Sequence, residues 1–311
     1  MYIILNFLSI SILIIVLLVG VAYLTLLERK ILGYIQDRKG PNKVGIIGVL
    51  QPFREAIKLF TKEIFLVRKS RHFLFYLLPV IRIIMLILVW INYVFVTNIY
   101  FINYSILMVI LILRVNRYII MLIGWASNSI YSIIGSIRSV VQTLSYEVRF
   151  IIIILVQLIL RERYSIVDVI KWQEIRWFIW ILGPIILVFF LRILAELNRR
   201  PIDFIEGESE LVSGFNVEYF RGGFALIFLS EYGIIIFISY IIVNIFIGRI
   251  DTIIRRGILM LFIILIIFIR GILPRMRYDE MIFLCWKIIL PFVLIYLFFF
   301  ILVKNVLSYI I

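Results

Sequence analysis

Between Ala195 and Glu218 the sequence AELNRRPIDFIEGESELVSGFNVE sets six carboxylates, Glu196, Asp203, Glu206, Glu208, Glu210 and Glu218, a third of the 18 acidic residues in the chain. Glu206, Glu208 and Glu210 alternate with other residues, so an extended segment aligns them on one side and a helix spreads them around its axis. Either way like charges crowd, and the protons they hold belong to the group rather than to one residue. Two more carboxylates, Glu147 in QTLSYEV and Glu231 in FLSEYGIII, lie inside long apolar runs. A charge at such depth costs about 2.5–3.5 kcal/mol on insertion scales, so each must be neutral, paired or beside water. Groups in that condition suit the uptake and release of protons. The plainer alternatives are a solvated acidic loop paired with Arg199 and Arg200, and two Glu side chains that only lock helix packing by hydrogen bonds.

The elements that must hold these groups are membrane helices. Hydrophobic residues make up 64% of the 311 residues, charged residues 16%, and mean hydropathy is +1.15. Several apolar runs exceed the roughly 20 residues that cross a bilayer. Lipid offers no partner to an unpaired backbone group, and the runs lack the alternation of a barrel, so an all-α polytopic membrane protein is predicted. About eight spans are expected, near 3–27, 73–96, 101–123, 137–160, 177–195, 223–247, 252–270 and 282–304, in one helical domain over residues 1–311. The first run has neither a basic n-region nor a small-residue cleavage site and continues into LLERK, so it reads as a retained span. Eleven Lys and Arg fall between Glu28 and Arg71 and none before Glu28. The positive-inside rule therefore sets this first loop on the cytoplasmic or matrix side, with both termini opposite.

The net charge of +14 follows the loops instead of forming a patch, so no nucleic-acid partner is expected. One cysteine, Cys285, and one histidine, His72, cannot supply an internal disulfide, an iron–sulfur cluster or a His-rich metal site. No P-loop or dinucleotide fingerprint is present, so any redox cofactor belongs to a partner. The 70 Ile against 5 Ala point to strong A+T pressure on the codons, as in organellar genomes. From Gln51 to Glu63, Phe53, Ile57 and Phe60 recur at helical spacing while Glu55, Lys58 and Lys62 fall to a wetter face, which predicts an amphipathic helix lying along the membrane surface.

Five stretches carry a resemblance: LLERKILGYIQDRKGPNKVG, GWASNSIYSIIGSIRSVVQTLSYEV, AELNRRPIDFIEGESELVSGFNVEY, GGFALIFLSEY and RGILPRMRYDEMIFLCWKIILP. Together they resemble subunit 1 of the proton-pumping NADH:quinone oxidoreductase, respiratory complex I, in its mitochondrial form. The resemblance implies eight membrane helices where the membrane arm meets the hydrophilic arm, in the mitochondrial inner membrane with the first loop on the matrix side. It implies ubiquinone as a substrate at a subunit interface, other complex I subunits and membrane lipids as partners, no flavin, iron–sulfur cluster or metal in this chain, and no activity alone. Carried over by motif, Arg29, Arg38, Glu55, Phe224, Arg275 and Arg277 line or flank the quinone tunnel entrance. Glu147, Glu196 and Glu231 form an intramembrane proton path. Asp203, Glu206, Glu208, Glu210 and Glu218 form a loop that links quinone chemistry to that path.

The chain departs from the family pattern in a regular way. Related members typically carry a small residue, often Ser, where Arg54, Arg149 and Arg221 stand, and Arg82, Arg114 and Arg117 add cations to apparent spans. None of these has an evident carboxylate partner in the sequence, and each near a helix centre costs about 2.5–3.5 kcal/mol. Many invertebrate mitochondria read AGA and AGG as Ser, so the sequence supports the hypothesis that some are Ser codons translated under another code. Arg side chains that snorkel or face a wet cavity are the competing reading. Glu55 replaces the family's usual Asp. Two other functions stay open at this point: the related membrane subunit of an energy-converting hydrogenase, and a stand-alone transporter, which should show internal repeats. A purely structural anchor is the fourth.

Overall fold

The computed structural model describes residues 2–63, 70–93, 102–161, 164–173, 177–203, 214–248 and 252–310, and every regular element among them is helical. Helix α1, Tyr2–Ile35, runs for 34 residues. At 1.5 Å per residue that is about 51 Å, well beyond a hydrocarbon core of about 30 Å, so its charged last turns, from Glu28 on, outrun the apolar length. Helix α2, Gln51–Thr61, follows as the expected amphipathic segment, with Phe53, Ile57 and Phe60 all exposed. An uncovered apolar stripe of this kind suits a helix that lies on lipid or a partner. Then come α3, His72–Trp90, α4, Ser105–Ser127, and α5, Ile130–Arg161. A short α6, Ile166–Trp172, leads to α7, Phe178–Ile181, and α8, Gly183–Glu196. The rest is α9, Arg221–Ile242, extended by a π turn over Val243–Ile247, then α10, Thr252–Ile272, α11, Tyr278–Phe283, a second π turn, and α12, Leu290–Ile310.

Six of the described helical stretches are long and apolar enough to cross a membrane: Phe7–Ile35, His72–Trp90, Ser105–Ser127, Ile130–Leu160, Arg221–Ile247 and Tyr278–Val306. The other two expected spans differ in kind. The fifth is broken at Leu182, because Pro184 has no N–H to donate and sits in the first turn of a new helix. Its main part, α8, has 14 residues and so is about 21 Å long. The seventh is α10, whose 21 residues carry Arg255 and Arg256 near one end and Arg270 at the other. The helix of the second span ends at Trp90, and residues 94–96 of the expected span lie outside the described residues.

Helix α5 is the centre of the bundle, packed by α4, α8 and α12, while α9 packs on α3, α1 and α10. In lipid there is little hydrophobic drive between helices, so close approach through small residues takes its place. A Cβ on Gly124 would lie 2.4 Å from Ser136, and one on Gly233 would lie 2.4 Å from Leu86. These two glycines let α4 meet α5 and α9 meet α3. Trp90 meets Phe237 edge to face at 5.4 Å between ring centroids, and Phe189 meets Phe246 at 5.1 Å.

One end of the bundle, where α1, α4, α8 and α10 finish, is rich in polar contacts. The N–H of Arg71 donates to Ala126 O at 3.0 Å, joining the start of α3 to the end of α4. Gly271 of α10 packs on Leu32 and Ile35 of α1. Met276 N–H donates to Pro201 O at 3.0 Å, and Arg221 donates to Phe60 O at 2.7 Å, so the last loop, the segment after α8, and α2 meet at the same end.

Candidate functional site

Three helices deliver Glu147, Glu196 and Glu231. Glu231 of α9 accepts a hydrogen bond from Arg82 Nη2 of α3 at 3.1 Å. Glu196, the last residue of α8, pairs with Arg117 of α4, and with Arg192 one turn earlier at 3.2 Å. Glu147 of α5 pairs with Arg114 of α4. The Arg192 guanidinium rests 3.4 Å from the ring centroid of Phe150, which covers one face of the cation.

Glu196 and Glu231 share one cavity, lined also by Arg82, Asn116, Arg117 and Asn198, with about 20 Å³ of room. That is enough for a water molecule. Chemically, the arrangement is a pair of carboxylates from different helices, each beside a guanidinium, around a space that can hold a proton carrier. Arg117, paired with Glu196, and Arg114, paired with Glu147, lie about one turn apart on α4.

The expectation that the intramembrane arginines have no carboxylate partner is corrected here: Arg82, Arg114 and Arg117 each pair with one of the three Glu residues. The partners lie 33 to 149 positions away in sequence for Arg114 and Arg82, which is why the chain alone hides them. Arg149 behaves differently. It is 1% exposed, donates to Ser145 O at 2.6 Å and lies 4.4 Å from the Tyr146 ring centroid, while its Nε and Nη1 are buried without a partner. Among the described residues no carboxylate pairs with it. Arg54 is exposed, and Arg221 stands at a left-handed φ of 54° with its guanidinium on Phe60 O.

A second charged cluster, which the sequence reading passed over, closes the polar end. Glu28 of α1, 5% exposed, is held between Arg199 at 3.4 Å and Arg270 of α10. Arg199 also lies over the Tyr232 ring at 4.7 Å, while Arg200 is exposed. The signal was in the sequence only as an acidic residue at the end of an apolar run; its partners are 171 and 242 positions away.

Of the residues expected at the tunnel entrance, Arg29 and Arg38 line one open pocket of about 360 Å³ with Leu32, Gly33 and Gln36. Glu55 of α2 joins them through its ion pair with Arg29 and a 2.8 Å bond from Gln51. Phe224 lies outside this pocket, one turn into α9, with its ring 4.3 Å from that of Phe228. Arg275 donates to the backbone oxygen of Asp203, and Arg277 lies exposed, 3.8 Å from Asp279. Asp203 and Glu218 are half-buried at the two described edges of the acidic stretch, while Glu206, Glu208 and Glu210 lie outside the described residues. Tyr219, beside Glu218, donates to Ile123 O at 3.2 Å, and burial pushes its phenol well above the ordinary range, which keeps it a neutral donor.

A family model for NADH dehydrogenase matches residues 8–301. The NADH-ubiquinone oxidoreductase chain 1 of Aedes aegypti is 47% identical over 293 residues, 94% of each chain. Those of Locusta migratoria and Apis mellifera ligustica are 46% identical over 302 residues and 44% over 298, covering 96% of this chain each and 94% and 96% of the relative. A match over residues 8–301, together with relatives 44–47% identical over nearly the whole chain, establishes that the chain belongs to the NADH dehydrogenase family.

Proposed function

We propose that the chain is a core membrane subunit of proton-pumping NADH:ubiquinone oxidoreductase, inactive alone, which lines the mouth of the quinone tunnel and passes protons through its buried carboxylates. The observation that supports the proton path is the shared cavity: Glu196 and Glu231, from α8 and α9, face one water-sized space, and Glu147 pairs with Arg114, about one turn along α4 from the Arg117 that lines it. Arg29, Arg38 and Glu55 form the polar lip of the quinone mouth, with Phe224, Arg275 and Arg277 flanking it. Quinone is held at the interface with hydrophilic-arm subunits, which supply the redox centres. Its reduction creates anionic species, and these change the protonation of the stretch containing Asp203, Glu206, Glu208, Glu210 and Glu218. The segment after α8 carries Glu196 at one end and Asp203 at the other, so a change in that stretch has a short covalent route to the cavity. The protein sits in the mitochondrial inner membrane among lipids and membrane-arm subunits, with the loop after α1 on the matrix side.

Gentle solubilisation of native membranes, separation of complexes by size and peptide masses test this. Comigration with inhibitor-sensitive NADH:quinone reductase activity is the expected result. Migration as a small species without that activity sinks the subunit reading and turns attention to a transporter.

A further inference from the structure

We propose that Asn116 and Asn198 hold a water molecule between Glu196 and Glu231 and position it to carry a proton from one carboxyl to the other. The inference rests on the proton-path reading above. Asn116 of α4 is 8% exposed, and its Oδ1 is buried and accepts no hydrogen bond. Asn198, two residues past α8, stands at φ +50°, a left-handed conformation that Asn tolerates better than most residues, and its Oδ1 is likewise buried and unpartnered. Arg117 adds a buried Nε and Nη1 with no partner. All three line the cavity that the two carboxylates share.

A buried acceptor left unpaired is costly, and a water needs two to four polar partners to be held. The two amide oxygens and the Arg117 N–H groups meet that requirement inside a space of about 20 Å³. The two Asn oxygens share one water O–H, leaving the other for a carboxylate, and a single Arg117 N–H on the water oxygen leaves one lone pair to accept the incoming proton. The step balances: as one Glu carboxyl gives its proton to the water oxygen, the water gives one of its own to the other carboxylate, and water is regenerated. Asn116 and Asn198 touch the carrier and not the quinone, so they are positioning residues.

The first measurement is a map of the intact complex sharp enough to show ordered water. Density within hydrogen-bond distance of Asn116 Oδ1 or Asn198 Oδ1 is expected, and a dry cavity there overturns the proposal. The second is Asn116→Leu in the intact complex, which should slow coupled proton pumping about tenfold and lower the protons moved per quinone reduced, with Asn116→Ser restoring both. Unchanged coupling in Asn116→Leu also overturns it, and the map decides if that variant does not assemble. Glu231→Gln run in parallel separates the two ideas: loss of coupling there but not in Asn116→Leu removes only the water, whereas full coupling in both removes the path itself.

Discussion

The buried carboxylates fall into two regions that use the same residue types differently. Glu28, at the polar end, is gripped by two arginines from two other parts of the chain, Arg199 after α8 and Arg270 of α10. It has no share in the cavity lined by Glu196 and Glu231, and its geometry is that of a clamp fastening α1, α10 and the segment after α8. Deeper in the bundle Glu147, Glu196 and Glu231 each meet arginines from α3, α4 or α8, but two of the three also line a space with room for water. A carboxylate with a water path can change its proton; one locked between cations in a packed joint holds the structure. The difference teaches that burial alone does not separate these carboxylates, whereas the space beside them does.

Four experiments can break or sharpen this contrast. Glu28→Ala leaves two cations without their shared counter-charge, so a loss of about 3–5 kcal/mol is expected, read as failure of the complex to assemble on native gels. Normal assembly in that variant would show that the clamp is dispensable. Next, peptide masses across position 149 are expected to read Ser, since a fully buried guanidinium with two unpartnered nitrogens carries about 2.5–3.5 kcal/mol of membrane cost that a hydroxyl avoids. Arg fragments there end the codon hypothesis at that site. The same spectra sharpen the contrast at Arg82, Arg114 and Arg117: Arg keeps the three interior pairs, while Ser leaves the glutamates bare and the cavity wider.

Glu231→Gln retains an acceptor for Arg82, so assembly should survive while coupled pumping slows about tenfold, followed as proton uptake per NADH oxidised in sealed vesicles. Full coupling would remove Glu231 from the path. The smallest effect belongs to the exposed Arg29–Glu55 pair. Arg29→Ala should cost about 0.2–1 kcal/mol of stability, within the range of surface ion pairs, yet raise KM for a short-tailed quinone more than it lowers kcat if this lip meets the substrate. An unchanged KM would move the mouth elsewhere.

Much of the architecture was legible in the chain. Apolar runs of bilayer length dictate helices because lipid leaves no other way to satisfy a backbone, and the spacing of Phe53, Ile57 and Phe60 marks an amphipathic helix. The intramembrane position of Glu147 and Glu231 was equally plain, since a carboxylate stands out in an apolar run. Leu182 was harder: Gly183-Pro184 in the fifth span is a helix start as readily as a tolerated kink, and only the packed structure decides between them.

By itself, the sequence determined the class, the membrane setting, the polar motifs that mark the family and the carboxylates worth watching, because hydrophobic run length and residue type are local properties. Only the tertiary structure decided which cation meets which anion. Arg82 finds Glu231 across 149 positions, Arg270 finds Glu28 across 242, and Glu196 and Glu231 come to one cavity from separate helices. Such pairings depend on how the helices rotate and cross, and side-chain packing between helices sets that rotation after each helix has already formed.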